Sequence, residues 1–101
     1  MPQAFLVVRS VLLDPSLRAR FDHWYATEHP PRAVADLGAD KGWRLWSDTE
    51  TDVHYAVYRF GDMPRLRQGM DAEPFKALVA DYDRTWPAGI TRTREILSLV
   101  E

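Results

Sequence analysis

The stretch "AFLVVRSVLL" (Ala4–Leu13) is apolar at almost every position and is rich in β-branched side chains. Apolar residues on both faces of an extended segment are typical of a central strand that is covered on both sides. Asp14 and Pro15 follow at once. This pair is typical of a helix start, because aspartate caps free N–H groups and proline suits the first helical position. The chain is therefore predicted to open with a buried strand that leads directly into a helix.

The first helix is predicted from about Pro15 to Glu28, because apolar and aromatic residues recur there at helical spacing. Pro30 and Pro31 are expected to end it, since proline restricts the residue before it and cannot donate a backbone hydrogen bond. The next segment, "RAVADLGADKG" (Arg32–Gly42), is expected to form a short extra turn and then a loop marked by glycine.

Three more strands and two more helices are predicted in the rest of the chain. The strands are Trp43–Asp48, Val53–Phe60 and Thr91–Val100, and the polar turn "TETD" joins the first two into a hairpin. One short helix begins at the cap Asp62, and a longer one covers "EPFKALVADYDRTW" (Glu73–Trp86). The order β-α-β-β-α-β predicts an α+β, ferredoxin-like domain over residues 1–101, with helices on one face of a four-stranded antiparallel sheet.

The composition excludes several classes of function. The chain has 101 residues, of which 46% are hydrophobic and 28% charged, as in an ordinary globular domain. The formal net charge of -2 offers no positive field, so neither nucleic acid nor a membrane surface is a predicted partner. There is no cysteine, which excludes disulfides and thiolate sites. The N-terminal residues lack the basic start of a leader peptide, and this predicts a cytoplasmic location.

The second face of the sheet is predicted to be covered by another copy of the chain. The first strand is apolar on both sides, and the strand Val53–Phe60 carries large side chains on both faces. Leaving that face in water would expose an apolar patch of several hundred Å². A sheet-to-sheet homodimer with two-fold symmetry is the simplest cover.

Four stretches together resemble the dimeric α/β-barrel superfamily, and more specifically its EthD-like small-domain proteins. They are "FDHWYATEHPP" (Phe21–Pro31), "KGWRLWSD" (Lys41–Asp48), "HYAVYRF" (His54–Phe60) and "EPFKALVADYDRTWPAGITRTRE" (Glu73–Glu95). The resemblance implies the ferredoxin-like fold just predicted. It also implies chemistry within a wide range, from cofactor-free polyketide cyclases and quinol-forming monooxygenases to muconolactone isomerase and haem-degrading enzymes.

His29 is the leading catalytic candidate. It ends the pattern Trp24-Tyr25-x-x-x-His29, and in the families that this chain resembles the corresponding histidine faces a cavity between helices and sheet. Histidine titrates near neutrality, and aromatic neighbours exclude water, so His29 suits general acid–base catalysis. Its alternative role is a helix C-terminal cap, since an imidazolium there is favoured by ~0.3–1 kcal/mol.

Strand directions predict which residues join His29. The end of the first helix lies at the sheet edge where the first two strands begin and the third ends. Tyr25 and Tyr58 are candidates for stabilising an oxyanion, and Trp24 for shaping the pocket. Residues expected to bind substrate or line the pocket at this edge are Phe5, Trp43, Arg44 and Phe60.

The remaining polar candidates have open interpretations. His54 lies near the opposite edge and is either a half-exposed strand residue or a pocket residue that binds substrate. Arg44 either holds an acidic group of the substrate or covers an indole ring. Arg92 and Arg94 share one face of the last strand, as a dimer contact or a ligand clamp. No set of histidines and acids converges on a metal, so neither a metal nor any other cofactor is predicted.

Three functions are consistent with these patterns. The first is a cofactor-independent cyclase, isomerase or lyase that moves protons on an aromatic or polyketide-like small molecule. The second is a monooxygenase, either cofactor-free or haem-dependent, in which His29 is a base or an axial ligand. The third is a non-catalytic dimer that binds a small molecule. The patterns favour an enzyme with His29, Tyr25 and Tyr58 as its catalytic residues.

Overall fold

The computed structural model describes residues 2–27 and 30–100. The strands are β1 (Ala4–Leu12), β2 (Lys41–Trp46), β3 (Val53–Phe60) and β4 (Ile90–Ser98). The helices are α1 (Arg18–Thr27), α2 (Pro30–Leu37), α3 (Met63–Asp71) and α4 (Glu73–Thr85), and a short 3-10 turn at Pro15–Leu17 precedes α1. In the described part of the chain, no helix has the length and apolar character needed to cross a bilayer.

The four strands form one antiparallel sheet in the order β2-β3-β1-β4. β1 is central: Ala4 lies opposite Phe60 of β3 on one side and opposite Ser98 of β4 on the other. The outer strand β2 pairs with β3, with Lys41 opposite Arg59. This topology confirms the predicted ferredoxin-like α+β fold.

The start of the first helix follows the predicted capping pattern. Asp14 accepts hydrogen bonds from the backbone N–H of Ser16 at 3.0 Å and from its hydroxyl at 2.7 Å. Pro15 occupies the first position, where its missing N–H costs nothing. The first turn is a 3-10 turn, and α1 proper runs from Arg18 to Thr27.

The segment after the double proline differs from the prediction. A short turn was expected, but Pro30 and the residues after it form the eight-residue helix α2. The reason is that proline is unfavourable inside a helix but favourable in its first turn, so the same pair separates α1 from a new helix. Gly38, with a left-handed φ of 73°, ends α2.

The core lies between the sheet and the helices. Alternate residues of β1 and β3 point toward the helices and are buried, while their neighbours point to the opposite face. Burying a large apolar side chain contributes roughly 1.5–3 kcal/mol. The largest apolar side chains that are almost fully enclosed are Leu6, Phe21, Tyr25, Phe60 and Leu66.

No helix of the described residues covers the other face of the sheet, and we call it the open face. It presents the alternate residues of β1, from Phe5 to Val11, which are half-buried. Exposed apolar side chains on its outer strands include Trp43 (36%), Leu45 (50%) and Leu97 (45%).

Candidate active site

A small cavity lies between the helices and the helix-facing side of the sheet. Its volume is about 30 Å³, which is room for about one water molecule. Apolar side chains from β1, α2 and α4 form much of its wall. The polar lining residues are three tyrosines and two arginines, namely Tyr25, Tyr58, Tyr82, Arg92 and Arg94.

Tyr25 and Tyr58 enter the wall from α1 and β3. Both are buried, and burial is the main reason that the pKa of each phenol is raised above its ordinary value. Both hydroxyls therefore stay protonated at neutral pH. Such neutral donors suit the stabilisation of negative charge on a substrate oxygen. The structure thus brings together two of the three residues predicted to be catalytic.

Tyr82 of α4 adds a third phenol to the cavity wall. Its hydroxyl shares a hydrogen bond of 2.9 Å with the fully buried hydroxyl of Ser10 on β1. The guanidinium of Arg92 lies 4.1 Å from the centre of its ring. Burial raises the pKa of Tyr82, although Ser10 and Arg92 both act to lower it.

Arg92 and Arg94 lie on the helix-facing side of β4, opposite Ser10 and Val8 of β1. Both are lining residues of the cavity. Both arginines therefore lie away from the open face, and the ligand clamp stays a prediction. The alternating pattern "TRTR" shows that the two arginines share a face, but only the pairing with β1 shows which face it is.

Arg44 is held by its own chain. One of its Nη2–H groups donates to the carboxylate of Asp22 on α1, which also accepts from the indole N–H of Trp46 at 2.9 Å. The Trp46 and Arg44 hydrogen bonds hold the pKa of Asp22 below its ordinary value. The Arg44 guanidinium lies 5.8 Å from the centre of the Tyr25 ring, so its positive charge acts on this phenol of the cavity wall.

His54 is fully buried, which corrects the expectation of a half-exposed strand residue. Its position opposite Ser10 in the β1–β3 register turns the imidazole toward the helices, where it contacts the rings of Phe21, Tyr25 and Trp46. Neither ring nitrogen has a hydrogen-bond partner among the described residues. Burial, reinforced by the positive charge of Arg44, lowers the pKa of His54 to about 3.

The placement expected for Phe5 and Trp43 is corrected by the pleat of the sheet. Both lie on the open face, because residues adjacent to Ala4 and Gly42 along a strand point the opposite way. Trp43 contacts solvent and two cations, with the Lys41 ammonium 5.2 Å from its ring and the Arg59 guanidinium 5.6 Å from it. Neither residue lines the cavity.

Trp24 of α1 and Phe60 of β3 both lie between the helices and the sheet, as expected, but they are core residues. Trp24 packs edge-to-face on Tyr25, Tyr82 and Trp86. Phe60 is fully buried at the edge where β1 begins. Through its ring contacts, Trp24 supports Tyr25 and Tyr82 of the cavity wall.

His29 and Glu28 lie outside the described residues, so the predicted role of His29 stays a prediction. Described residues on either side of them line the cavity. Tyr25, in the last turns of α1, lines it, and so do Ala33 and Leu37 of α2.

The described residues show no group of three histidines or acids that suits a metal ion. The described histidines also do not fit an axial role toward haem. The imidazole of His54 is enclosed by aromatic rings, and His23 is exposed on the surface of α1.

Comparison with known proteins identifies the fold. No family model matches the sequence, and no curated protein matches it significantly. Solved structures do match over nearly the whole chain, and one of them is a dimeric ferredoxin-like protein. The superfamily resemblance predicted from the sequence is confirmed at the level of the fold.

Three of these structures show the range of the fold. SnoaB, a cofactor-independent oxygenase from Streptomyces nogalater, matches with a TM-score of 0.69 and 12% identity, covering 100% of this chain and 96% of its own. An EthD family protein from Bacillus halodurans matches at 0.67 and 18% identity, covering 94% and 97%. A dimeric ferredoxin-like protein from an uncultured marine organism matches at 0.61 and 13% identity, covering 100% and 98%.

Proposed function

We propose that this protein is a cofactor-independent enzyme that moves protons on an aromatic or polyketide-like small molecule, in a cyclisation, isomerisation or elimination. The observation that carries the proposal is the kind of polar side chain found in the mainly apolar wall of the cavity. It combines neutral phenols and guanidinium groups, and none of its described lining residues is acidic. A wall of donors around an apolar hollow suits the negative charge that develops when a proton leaves an activated carbon.

In the proposed step, the imidazole of His29 takes a proton from a carbon next to a carbonyl group. The electron pair of the broken C–H bond stays on the substrate as an enolate. Tyr25 and Tyr58 donate hydrogen bonds to the enolate oxygen. Returning the proton to another carbon completes an isomerisation, attack by the enolate carbon on a second carbonyl completes a cyclisation, and loss of a β-substituent completes an elimination. Arg44, fixed by Asp22, adds positive potential beside Tyr25.

Binding of a substrate ring has to enlarge the cavity. A cavity that holds a benzene ring has a volume of roughly 150 Å³, whereas this one has about 30 Å³. Phe75 and Val79 of α4 line it and are only half-buried. In this proposal, movement of these two side chains lets a substrate ring reach the tyrosines of the cavity wall.

A cofactor-free monooxygenase is the second candidate, and the similarity to SnoaB favours it. The same enolate or phenolate is the electron-rich species that reacts with dioxygen. Converting an activated CH₂ group to a carbonyl then uses one O₂. One oxygen atom enters the substrate and the other leaves as water with the two hydrogens.

The proposal includes a homodimer that acts in the cytoplasm on a small molecule, with no part for nucleic acid or a membrane. The open face carries exposed Trp43, Leu45 and Leu97. Covering it with the same face of a second copy satisfies two-fold symmetry.

Deuterium exchange at the α-carbon of tetralone and of anthrone in D₂O tests the proton-transfer step without knowledge of the natural substrate. We expect the protein to accelerate exchange, and His29→Ala to reduce the acceleration by ~10²–10⁴. His23→Ala, which removes an exposed histidine of α1, is the matched control. Unchanged exchange in a folded His29→Ala variant would remove the assignment of His29.

Two further results separate the alternatives. Oxygen uptake with anthrone, together with formation of the quinone, would identify the monooxygenase. Binding of either compound with no exchange and no oxygen uptake would leave the non-catalytic binding module.

A further inference from the structure

We propose that Ser10, Tyr82 and Arg92 form a subsite for an ionised hydroxyl group, so that the cavity selects aromatic molecules with an acidic phenol or enol. We call these three residues the β4-side cluster. The inference rests on the proposed function and gives it a substrate class. It also adds residues on the far side of the cavity from the predicted pair Tyr25 and Tyr58.

The first support is the fixed position of the Tyr82 hydroxyl. Ser10 is fully buried on the central strand, and its hydroxyl lies 2.9 Å from that of Tyr82. The bond links the sheet to α4 at the wall of the cavity. When Ser10 donates in this bond, the phenolic proton of Tyr82 is turned away from Ser10. In that arrangement the Tyr82 hydroxyl can donate a hydrogen bond to a ligand.

The second support is the position of the Arg92 charge. Arg92 lies opposite Ser10 in the β1–β4 pairing, at the same level of the sheet. Its guanidinium stacks on the Tyr82 ring at 4.1 Å, and its Nη2 donates to Asp83 at 3.0 Å. The Arg92 side chain is 17% exposed, whereas that of Asp83 is 63% exposed. Since solvent screens Asp83 more strongly than Arg92, net positive potential remains at the wall.

Among the described residues, the charged groups that act on Tyr82 are the Arg92 cation and the Asp83 carboxylate. From α1 it meets the uncharged rings of Phe21 and Trp24. From β1 it meets the Ser10 hydroxyl, from β4 the Arg92 cation, and on its own helix the solvated Asp83 carboxylate. Because burial keeps the phenol neutral, Tyr82 acts as a hydrogen-bond donor at physiological pH.

These groups favour an anion over a neutral or cationic group. An anion moved out of water loses several kcal/mol of solvation, which donors and a nearby cation have to replace. The described lining residues supply hydroxyl and guanidinium donors and no carboxylate. A cation would meet only like charge there. An aromatic ring with an ionised hydroxyl matches both the apolar wall and the donors.

The probe for this subsite is para-nitrophenol, because its ionised form absorbs visible light and reports its own protonation. Titration of the probe bound to the full-length protein measures its apparent pKa. We expect binding to lower that pKa by about one unit, which is a tenfold preference for the anion. The neutral, similarly shaped para-nitroanisole should bind more weakly than the phenolate.

Variants assign the effect to the cluster. Tyr82→Phe and Arg92→Gln should each restore most of the ordinary pKa of the bound probe. Ser10→Ala should restore part of it, and Ser10→Thr, which keeps the hydroxyl, should behave like the wild type. Arg84→Gln on the exposed side of α4 is the control for loss of one positive charge. Circular dichroism and thermal unfolding check that each variant is folded, and Arg92→Lys offers a second route if Arg92→Gln is unstable.

The outcomes separate this inference from the proposed function. If the bound probe shows the same lowered pKa in the wild type and in folded variants of the cluster, the subsite is overturned while proton transfer at His29 can still hold. If the probe fails to bind, or binds with its ordinary pKa, the subsite is also overturned. If the cluster controls the pKa of the probe but no tetralone or anthrone exchange occurs, the subsite stands and the proposed enzyme does not.

Discussion

His54 lies directly opposite Ser10 in the pairing of β3 with β1, and both side chains are fully buried beneath the helices. Ser10 has a partner in Tyr82, but neither imidazole nitrogen of His54 has one among the described residues. Burying a polar group without a partner costs about 1–3 kcal/mol. The aromatic rings around His54 therefore enclose a polar group that has no hydrogen-bond partner among the described residues.

The stability of the protein should depend on pH through His54. Its pKa is lowered from 6.5 to about 3 in the folded state, so below pH 6.5 the unfolded chain binds a proton that the folded chain does not. Above pH 6.5 the imidazole is neutral in both the folded and the unfolded chain, and the free energy of unfolding has its full value. It falls by about 1.4 kcal/mol per pH unit as the pH drops toward the folded pKa.

Urea unfolding of the wild type and of His54→Phe between pH 7 and pH 4.5 measures this dependence. The free energy of unfolding of the variant should fall much less over that range, because His54 no longer titrates. His23→Phe, on the exposed surface of α1, should keep the wild-type slope. Equal slopes in wild type and His54→Phe would show that His54 is not a neutral buried histidine.

Asp22 should contribute to stability through two donors at once. Asp22→Ala leaves the Arg44 guanidinium and the Trp46 indole N–H without their shared acceptor. Because the Asp22 side chain is 50% exposed, water replaces part of the loss, and we expect a decrease of about 1 kcal/mol in the free energy of unfolding. Asp48→Ala removes an exposed carboxylate of the nearby turn and should have little effect. Equal decreases in Asp22→Ala and Asp48→Ala would mean that the hydrogen bonds of Asp22 with Arg44 and Trp46 do not stabilise the fold.

Much of the fold could be predicted because local patterns agree with it. The cap Asp14-Pro15, the hairpin around "TETD" and the helical stripe of α4 each have one simple interpretation, and together they indicate the order of strands and helices along the chain. The double proline was harder. Proline both ends one helix and suits the start of the next, and the prediction of a short turn after the pair missed the helix α2.

The candidate site was less predictable for a geometric reason. β1 is apolar on both faces, so its pattern does not show whether Phe5 or Leu6 points toward the helices. The partners of Arg92 were hidden for the same reason, because they depend on its register against Ser10. Side chains joined by sheet pairing and a distant helix, such as Ser10 and Tyr82, are 72 positions apart and carry no local signal.

Gly69 should be essential for packing α3 on α2. A Cβ atom added at Gly69 would overlap the backbone carbonyl oxygen of Leu37, which cannot move without shifting the end of α2. Alanine favours a helix over glycine by about 1 kcal/mol, so Gly69→Ala would stabilise α3 if space were available. We expect instead a loss of about 1–3 kcal/mol from overpacking.

Thermal unfolding of Gly69→Ala measures this loss, with Gly61→Ala as the control. The Cβ of an alanine at position 61 would meet only ordinary contacts, the nearest at 3.8 Å. A melting temperature of Gly69→Ala equal to or above that of the wild type would show that α2 and α3 are farther apart than in this structure.

The open face should control assembly. Val7 lies at its centre on β1, between Val57 and Glu95 in the register, and Leu45 lies on the outer strand β2 with 50% exposure. In a two-fold dimer each substitution appears twice, so Val7→Asp or Leu45→Asp would bury two new carboxylates without partners. We expect the dissociation constant of the dimer to rise at least about 100-fold.

Light scattering coupled to size-exclusion chromatography measures the mass, and Ala77→Asp on the exposed side of α4 adds the same charge away from the open face. A dimer that persists in Val7→Asp and Leu45→Asp while Ala77→Asp dissociates would place the interface on the helix layer instead.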